Sequence, residues 1–75
     1  MISFTTESAG PVRLEAFDVR GRLVRIVAQG VYPSGNHTLA WDGRNSDGAP
    51  APAGIYLLRL EAAGSTQNIK AALVR

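Results

Sequence analysis

The feature that most constrains this chain is an apolar–polar alternation of period two, repeated in six short runs. "ISFTTE" sets Ile2 and Phe4 against Ser3 and Thr5, "VRLEAF" sets Val12, Leu14 and Ala16 against Arg13 and Glu15, and "RLVRIVA" has Val24 and Ile26 flanking Arg25. "NHTLAW" aligns His37, Leu39 and Trp41, "GIYLLRLEA" aligns Tyr56, Leu58 and Leu60, and "QNIKAALV" aligns Ile69, Ala71 and Leu73. Side chains two apart share one face of a strand, so each run predicts a half-buried strand. Turn-formers separate the runs: "SAGP", "DVRGR", "QGVYPSGN", the long "DGRNSDGAPAPAG" and "AAGST". Gly21 is expected in a tight hairpin turn, where a positive φ suits glycine. "GIYLLRLEAA" is rich in helix formers, but it lies between Gly54 and Gly64 among strands and is read as a strand too. The pattern predicts an antiparallel sandwich or barrel in one domain, residues 1–75, with Trp41 and Tyr56 as the largest core pieces.

Composition narrows the function. The chain is 45% apolar, which suits a globular domain and not a disordered one. At 75 residues its core is thin, and with no cysteine no disulfide supports it. Net charge is +2, too small to imply nucleic acid, and no apolar run approaches the ~20 residues that cross a membrane. "MISFTTES" lacks a basic leader and an apolar core, so it is not read as a signal peptide. Met1 set directly against a strand pattern is expected of a segment cut from a longer protein.

A search for chemistry yields little. In "DGRNSDG", a calcium loop with Gly48 at position 6 has Asp47 at 5 and Asn45 at 3, but Gly43 at 1 and Gly54 at 12 supply no side-chain ligand. A looser site of Asp42, Asp47 and carbonyls is the minor alternative to a plain turn, because Asx residues bend the chain by bonding their own backbone. His37, the single histidine, has no second ligand beside it and is expected to pack across strands. No serine lies in a nucleophile elbow, and no Gly-Lys-Ser/Thr completes a phosphate loop. Arg20, Arg22 and Arg25, joined by Arg13 and Arg59, form the densest basic cluster. Binding single-stranded nucleic acid needs stacking aromatics, and Phe17 alone is near. Solvated strand faces with Glu15 and Glu61 as partners explain these arginines. Tyr32, Phe17 and Tyr56 are too few for a sugar platform. The expectation is therefore no enzyme, no cofactor, no metal and no nucleic acid.

The order of elements adds a resemblance. "VRLEAFDVRGRLVRIV" is strand, D-x-x-G-R turn and strand; "WDG" follows Gly35 and His37 and precedes Gly48, Gly54 and Tyr56; "IKAALVR" ends the chain. This resembles the C-terminal sorting domain of the type IX (Por) secretion system, and equally its relative, the immunoglobulin-like domain of the flagellar hook-capping protein. The match runs from about Ile2 to Arg75. It implies an all-β fold, a small antiparallel immunoglobulin-like β-sandwich of six to seven strands, at the C-terminus of a larger exported bacterial protein. The matching positions are Asp18, Gly21, Arg22, Gly35, His37, Trp41, Asp42, Gly43, Gly48, Gly54 and Tyr56, with the closing strand Ile69 to Arg75, and most of them are expected to be architectural. The sorting side of the resemblance implies a non-catalytic address read by outer-membrane secretion machinery. It would carry an N-terminal cargo domain through the periplasm to the cell surface or medium. Recognition is then expected at the closing strand: Ile69, Lys70, Leu73, Val74 and Arg75. The closing "IKAALVR" favours the sorting reading. The alternative, on the hook-capping side, is a structural spacer or assembly module, with self-association through sheet edges. The P-N-P-like segment usual before the first strand is missing, and Ala53 stands where the pattern often has serine.

Overall fold

The computed structural model describes residues 2–62 and 64–74. The alternating runs are six strands: β1 (Ile2–Thr6), β2 (Gly10–Phe17), β3 (Leu23–Tyr32), β4 (Gly35–Leu39), β5 (Gly54–Ala62) and β6 (Ser65–Leu73). All pairings are antiparallel. β1 and β4 make a two-stranded sheet, and β3-β2-β5-β6 make a four-stranded one. The expected all-β immunoglobulin-like sandwich is observed, at the lower end of the expected strand count.

The alternation decides which face of the larger sheet is covered. Val12, Leu14 and Ala16 of β2 and Tyr56, Leu58 and Leu60 of β5 are buried, and Phe4 joins them from β1. The flanking strands β3 and β6 contribute half-buried residues, among them Val24, Ala28, Ile69 and Ala71. Burial of such side chains is worth about 1.5–3 kcal/mol each, and it is what holds the two layers together.

Three details depart from the alternation. In β3 the register steps from Leu14↔Ala28 to Glu15↔Ile26, which leaves Val27 as an extra residue. This bulge reverses the phase of the strand, and a second shift, from Ala16↔Arg25 to Phe17↔Leu23, leaves Val24 extra as well. Val24, Val27 and Ala28 pack against the core while Ile26 is 37% exposed, so Val24 and Ile26 do not share the expected role. Half of "QGVYPSGN", expected as a loop, continues β3 to Tyr32, and Gly35 and Asn36 open β4, which leaves Pro33 and Ser34 as the connection. β4 stops at Leu39, so Trp41 packs from a loop rather than from a strand, and it is only half-buried.

The larger difference is Glu15, expected on a solvated face but only 4% exposed. Its cross-strand partner Arg59 donates to it at 2.9 and 3.3 Å, and Arg13, two residues away on the same face, lies 3.1 Å from its other oxygen. Arg59 also reaches Glu61 at 3.3 Å and lies 4.9 Å over the Phe17 ring. The two guanidinium groups thus cover the carboxylate from both sides, and the Arg13 Nε is buried there with no hydrogen-bond partner among the described residues. The hydrogen bond and charge of Glu15, helped by Glu61 and against partial desolvation, hold the Arg59 guanidinium above its usual range.

The β2–β3 turn follows its sequence. Gly21 has φ 81° and donates to the Asp18 carbonyl at 3.0 Å. The Asp18 carboxylate accepts the backbone N–H groups of Arg22 (3.0 Å) and Arg20 (2.9 Å), with the Arg22 Nε 3.6 Å away. Chiefly the Arg22 N–H, opposed by desolvation and helped by the Arg20 N–H and the two arginine charges, holds the Asp18 pKa below the usual carboxylate value. A depressed folded pKa gives stability that is present above the unfolded value and is lost as pH falls through the folded one. Between pH 5 and pH 2, urea denaturation should therefore show a smaller acid-induced loss for Asp18→Asn than for the native chain. Equal losses would contradict this reading of the turn.

Candidate functional site

The segment 41–56 closes one end of the sandwich, and its polar residues face their own backbone. Trp41 donates its indole N–H to the Arg44 carbonyl at 3.0 Å and meets the Tyr56 ring edge-on with centroids 5.0 Å apart. Tyr56 donates its hydroxyl to the Pro52 carbonyl at 2.5 Å. Asp42 Oδ1 accepts the Arg44 N–H at 3.1 Å and approaches Arg25 at 3.5 Å. A small hairpin follows. Asn45 Oδ1 accepts the N–H groups of Asp47 and Ala49, both at 3.0 Å, and Gly48 turns the chain with φ 83°. Ser46 bonds the Val24 carbonyl through both N–H and hydroxyl at 3.1 Å, which ties the hairpin to β3. Gly43 accepts the Ala51 N–H at 2.8 Å, and Ala51 is buried behind it.

Asp42 and Asn45 therefore spend their oxygens on backbone N–H groups, the behaviour of Asx turns rather than of a cation loop. Among the described residues, no three His, Cys, Asp or Glu side chains gather as metal ligands. Millimolar calcium is expected to leave the melting temperature unchanged; a rise of several degrees would restore a cation site at Asp42 and Asp47. A depression of about 450 Å³ beside the hairpin brings Asp18, Asp47 and Tyr56 to one wall. Asp18 is held by its own turn and the Tyr56 hydroxyl by Pro52, so no nucleophile–base pair is assembled there.

His37 lies opposite Phe4 in the β1–β4 ladder, as a packing residue should. Its ring is 5.3 Å from both Phe4 and Tyr32, and its Nε2 is 2.7 Å from the Pro33 carbonyl. Gly35, just after that carbonyl, begins β4, and Gly54 begins β5. The arginine cluster is dispersed: Arg22 lies against Asp18, Arg25 against Asp42, and Arg13 and Arg59 against Glu15. Phe17 lies under Arg59 and presents no stacking platform.

Of the expected recognition residues, Ile69, Lys70 and Leu73 fall on β6, an edge of the four-stranded sheet, and Val74 follows it. Ile69 and Leu73 turn toward the core and are half-buried, Lys70 and Val74 are exposed, and Arg75 lies outside the described residues. A feature that the motif search missed lies on the outer face of the same sheet. Leu23, Phe17, Leu57 and Lys70 pair in one row across all four strands. Leu23, Leu57 and nearby Ile55 are 47%, 42% and 45% exposed. The signal was present as Ile55 and Leu57, the off-phase apolar residues of "GIYLLRLEA", which alternation alone assigns to solvent.

With the geometry described, the comparisons decide between the two sides of the resemblance. A model of the FlgD Ig-like domain family matches residues 2–66. The chain belongs to that family. It is 36% identical over 64 residues to the basal-body rod modification protein FlgD of Salmonella typhimurium strain LT2, and 36% to that of Salmonella typhi. Identity to the Escherichia coli K12 protein of that name is 34%. Each match covers 84% of this chain and 28% of the relative, so the chain spans less than a third of the length of these FlgD proteins. No solved structure gives a significant match. The FlgD Ig-like family is the hook-capping side of the resemblance; the type IX sorting side finds no support.

Proposed function

We propose that this domain is a non-catalytic structural module of a flagellar hook-capping protein, exported and built into an assembly outside the cytoplasm. The observation that carries the reading is the family match over residues 2–66. The names of the relatives, basal-body rod modification proteins, point to assembly rather than chemistry. The absence of a catalytic role is supported by the candidate polar residues, whose hydrogen bonds go to the domain's own backbone. Its partners on this reading are the rest of a longer chain and neighbouring flagellar subunits. The exposed Leu23, Ile55 and Leu57 on the outer face supply surface of the kind that such contacts use.

A chimera tests the proposal. The domain replaces the matching segment of the Salmonella FlgD protein in a strain lacking its own copy. Swimming through soft agar should be restored at least in part. A chimera that accumulates at normal levels, yet leaves cells without hooks, would count against the reading.

A further inference from the structure

An aspartate followed by glycine is prone to cyclise, because glycine has no side chain to shield its amide nitrogen from the carboxyl group before it. The chain has two such steps, Asp42–Gly43 and Asp47–Gly48, and both lie in the segment that closes the sandwich. Their surroundings differ.

The first step is fixed on both sides. Asp42 Oδ1 accepts the Arg44 N–H at 3.1 Å and lies 3.5 Å from the Arg25 guanidinium. Gly43 is buried, and its carbonyl accepts the Ala51 N–H at 2.8 Å. The second step is exposed at the hairpin tip, with open space around the Gly48 α-carbon. Asp47 donates its N–H to Asn45 Oδ1, but its carboxylate accepts no hydrogen bond and pairs with no cation among the described residues. What holds this step is the turn itself. Gly48 donates its N–H to the Asn45 carbonyl at 3.0 Å, Asn45 Oδ1 also takes the Ala49 N–H, and Arg44 Nη1 reaches the Gly48 carbonyl at 2.9 Å. These bonds lie at the surface, where a turn opens locally without disturbing the core. Opening at Gly43 would instead move buried Ala51 and the Arg44 carbonyl that Trp41 holds.

We propose that Asp47–Gly48 is a self-modification site, at which the aspartate isomerises to isoaspartate while Asp42–Gly43 stays intact. The Gly48 nitrogen bonds to the Asp47 carboxyl carbon, and its proton leaves with the carboxyl hydroxyl as water. Water then opens the cyclic imide. Opening at the original main-chain carbonyl leaves the chain running through the side-chain carboxyl carbon, and this product is isoaspartate. Opening at the other carbonyl restores aspartate. Nothing is oxidised or reduced, and water is the only co-reactant. Isoaspartate lengthens the backbone by a methylene between Ser46 and Gly48. A turn closed between Asn45 and Ala49 does not fit the longer chain, so the hairpin opens and Ser46 releases the Val24 carbonyl. The product also bears a free α-carboxylate, the substrate class of S-adenosylmethionine-dependent isoaspartyl methyltransferases.

Trypsin separates the two steps for the test. Cleavage after Arg25, Arg44 and Arg59 places Asp42–Gly43 in the peptide 26–44 and Asp47–Gly48 in the peptide 45–59. After weeks at 37 °C and neutral pH, the folded chain should give 45–59 as two chromatographic forms of unchanged mass, which sets them apart from deamidation of Asn45. The new form should take a labelled methyl group from S-adenosylmethionine and an isoaspartyl methyltransferase. Peptide 26–44 should stay single. In urea both peptides should split, since nothing then protects Asp42. Asn45→Ala removes two hydrogen bonds of the turn and should speed the splitting of 45–59 about tenfold. Asp47→Glu, whose longer side chain closes the ring far less readily, should abolish it and leave the melting temperature unchanged. In the isolated isoaspartyl chain, amide exchange at Ser46 should be about tenfold faster or more, with β5 unchanged. Peptide 45–59 staying single in the folded chain, or 26–44 splitting as fast, would overturn the proposal. A 26–44 peptide that stays single in urea as well would contradict the structural distinction between the two steps. Native exchange at Ser46 in the isoaspartyl chain would overturn the release of the hairpin.

Discussion

Leu14→Ala is expected to bring this domain close to unfolding at 37 °C. Leu14 is fully buried, on the strand that pairs with both β3 and β5, and lies opposite Ala28 and Leu60. Truncating a buried leucine costs about 2–5 kcal/mol, the upper end applying where neighbours cannot close the cavity. The backbone around Leu14 is held on both sides by ladders, so collapse is limited and about 3 kcal/mol or more is expected. A domain of this size has only about 4–11 kcal/mol to lose, at roughly 0.05–0.15 per residue. At about 4–8 °C per kcal/mol the melting temperature falls by about 12–24 °C. A fall of less than about 5 °C in a calorimeter would show that the core is not centred on Leu14.

Phe4→Ala should cost a similar amount, about 3–5 kcal/mol, but with a different signature. Among the described residues, Phe4 is the buried apolar side chain that the two-stranded sheet sends into the core. Its ring also meets His37 at 5.3 Å and Tyr32 at 6.2 Å, so it anchors β4 and the end of β3 as well. A two-stranded ribbon is at best marginal by itself. Without Phe4, β1 and β4 should open before the larger sheet does. Amides of residues 35–39 should then exchange much faster at temperatures where those of β5 stay protected. Uniform loss of protection in both sheets would show that the small sheet is not a separately anchored layer.

These two variants also mark what the sequence made legible. The strands were legible because their alternation is local, and Gly21 because a two-strand turn announces itself within five residues. The β3 bulge was not, because the extra residue Val27 sits in an unbroken apolar run and shows only once β3 is paired with β2. Glu15 was misassigned to solvent because its cover, Arg59, lies 44 residues away in the chain. The W-D-G segment was legible as a turn, since its register excludes the usual calcium loop. Its tether from Ser46 to Val24, across 22 residues, was not. Motif spacing admitted both sides of the family resemblance, and the strand positions are the same for either. Only the comparisons favoured hook capping over sorting, and with them the weight moves from the closing strand to the surfaces of the sheets.

The central claim is that this domain contributes a surface and not a chemical site. It is tested by two sets of substitutions in the Salmonella chimera. One replaces the polar candidates, His37→Gln, Asp42→Asn and Asp47→Asn, which leaves hydrogen-bonding atoms in place. The other replaces Ile55→Lys and Leu57→Lys on the exposed outer face, away from the core. Hooks are then counted by electron microscopy at matched protein levels. Cells with the first set should carry hooks, and cells with the second few or none. Hooks lost with the polar set and kept with the outer-face set would contradict it.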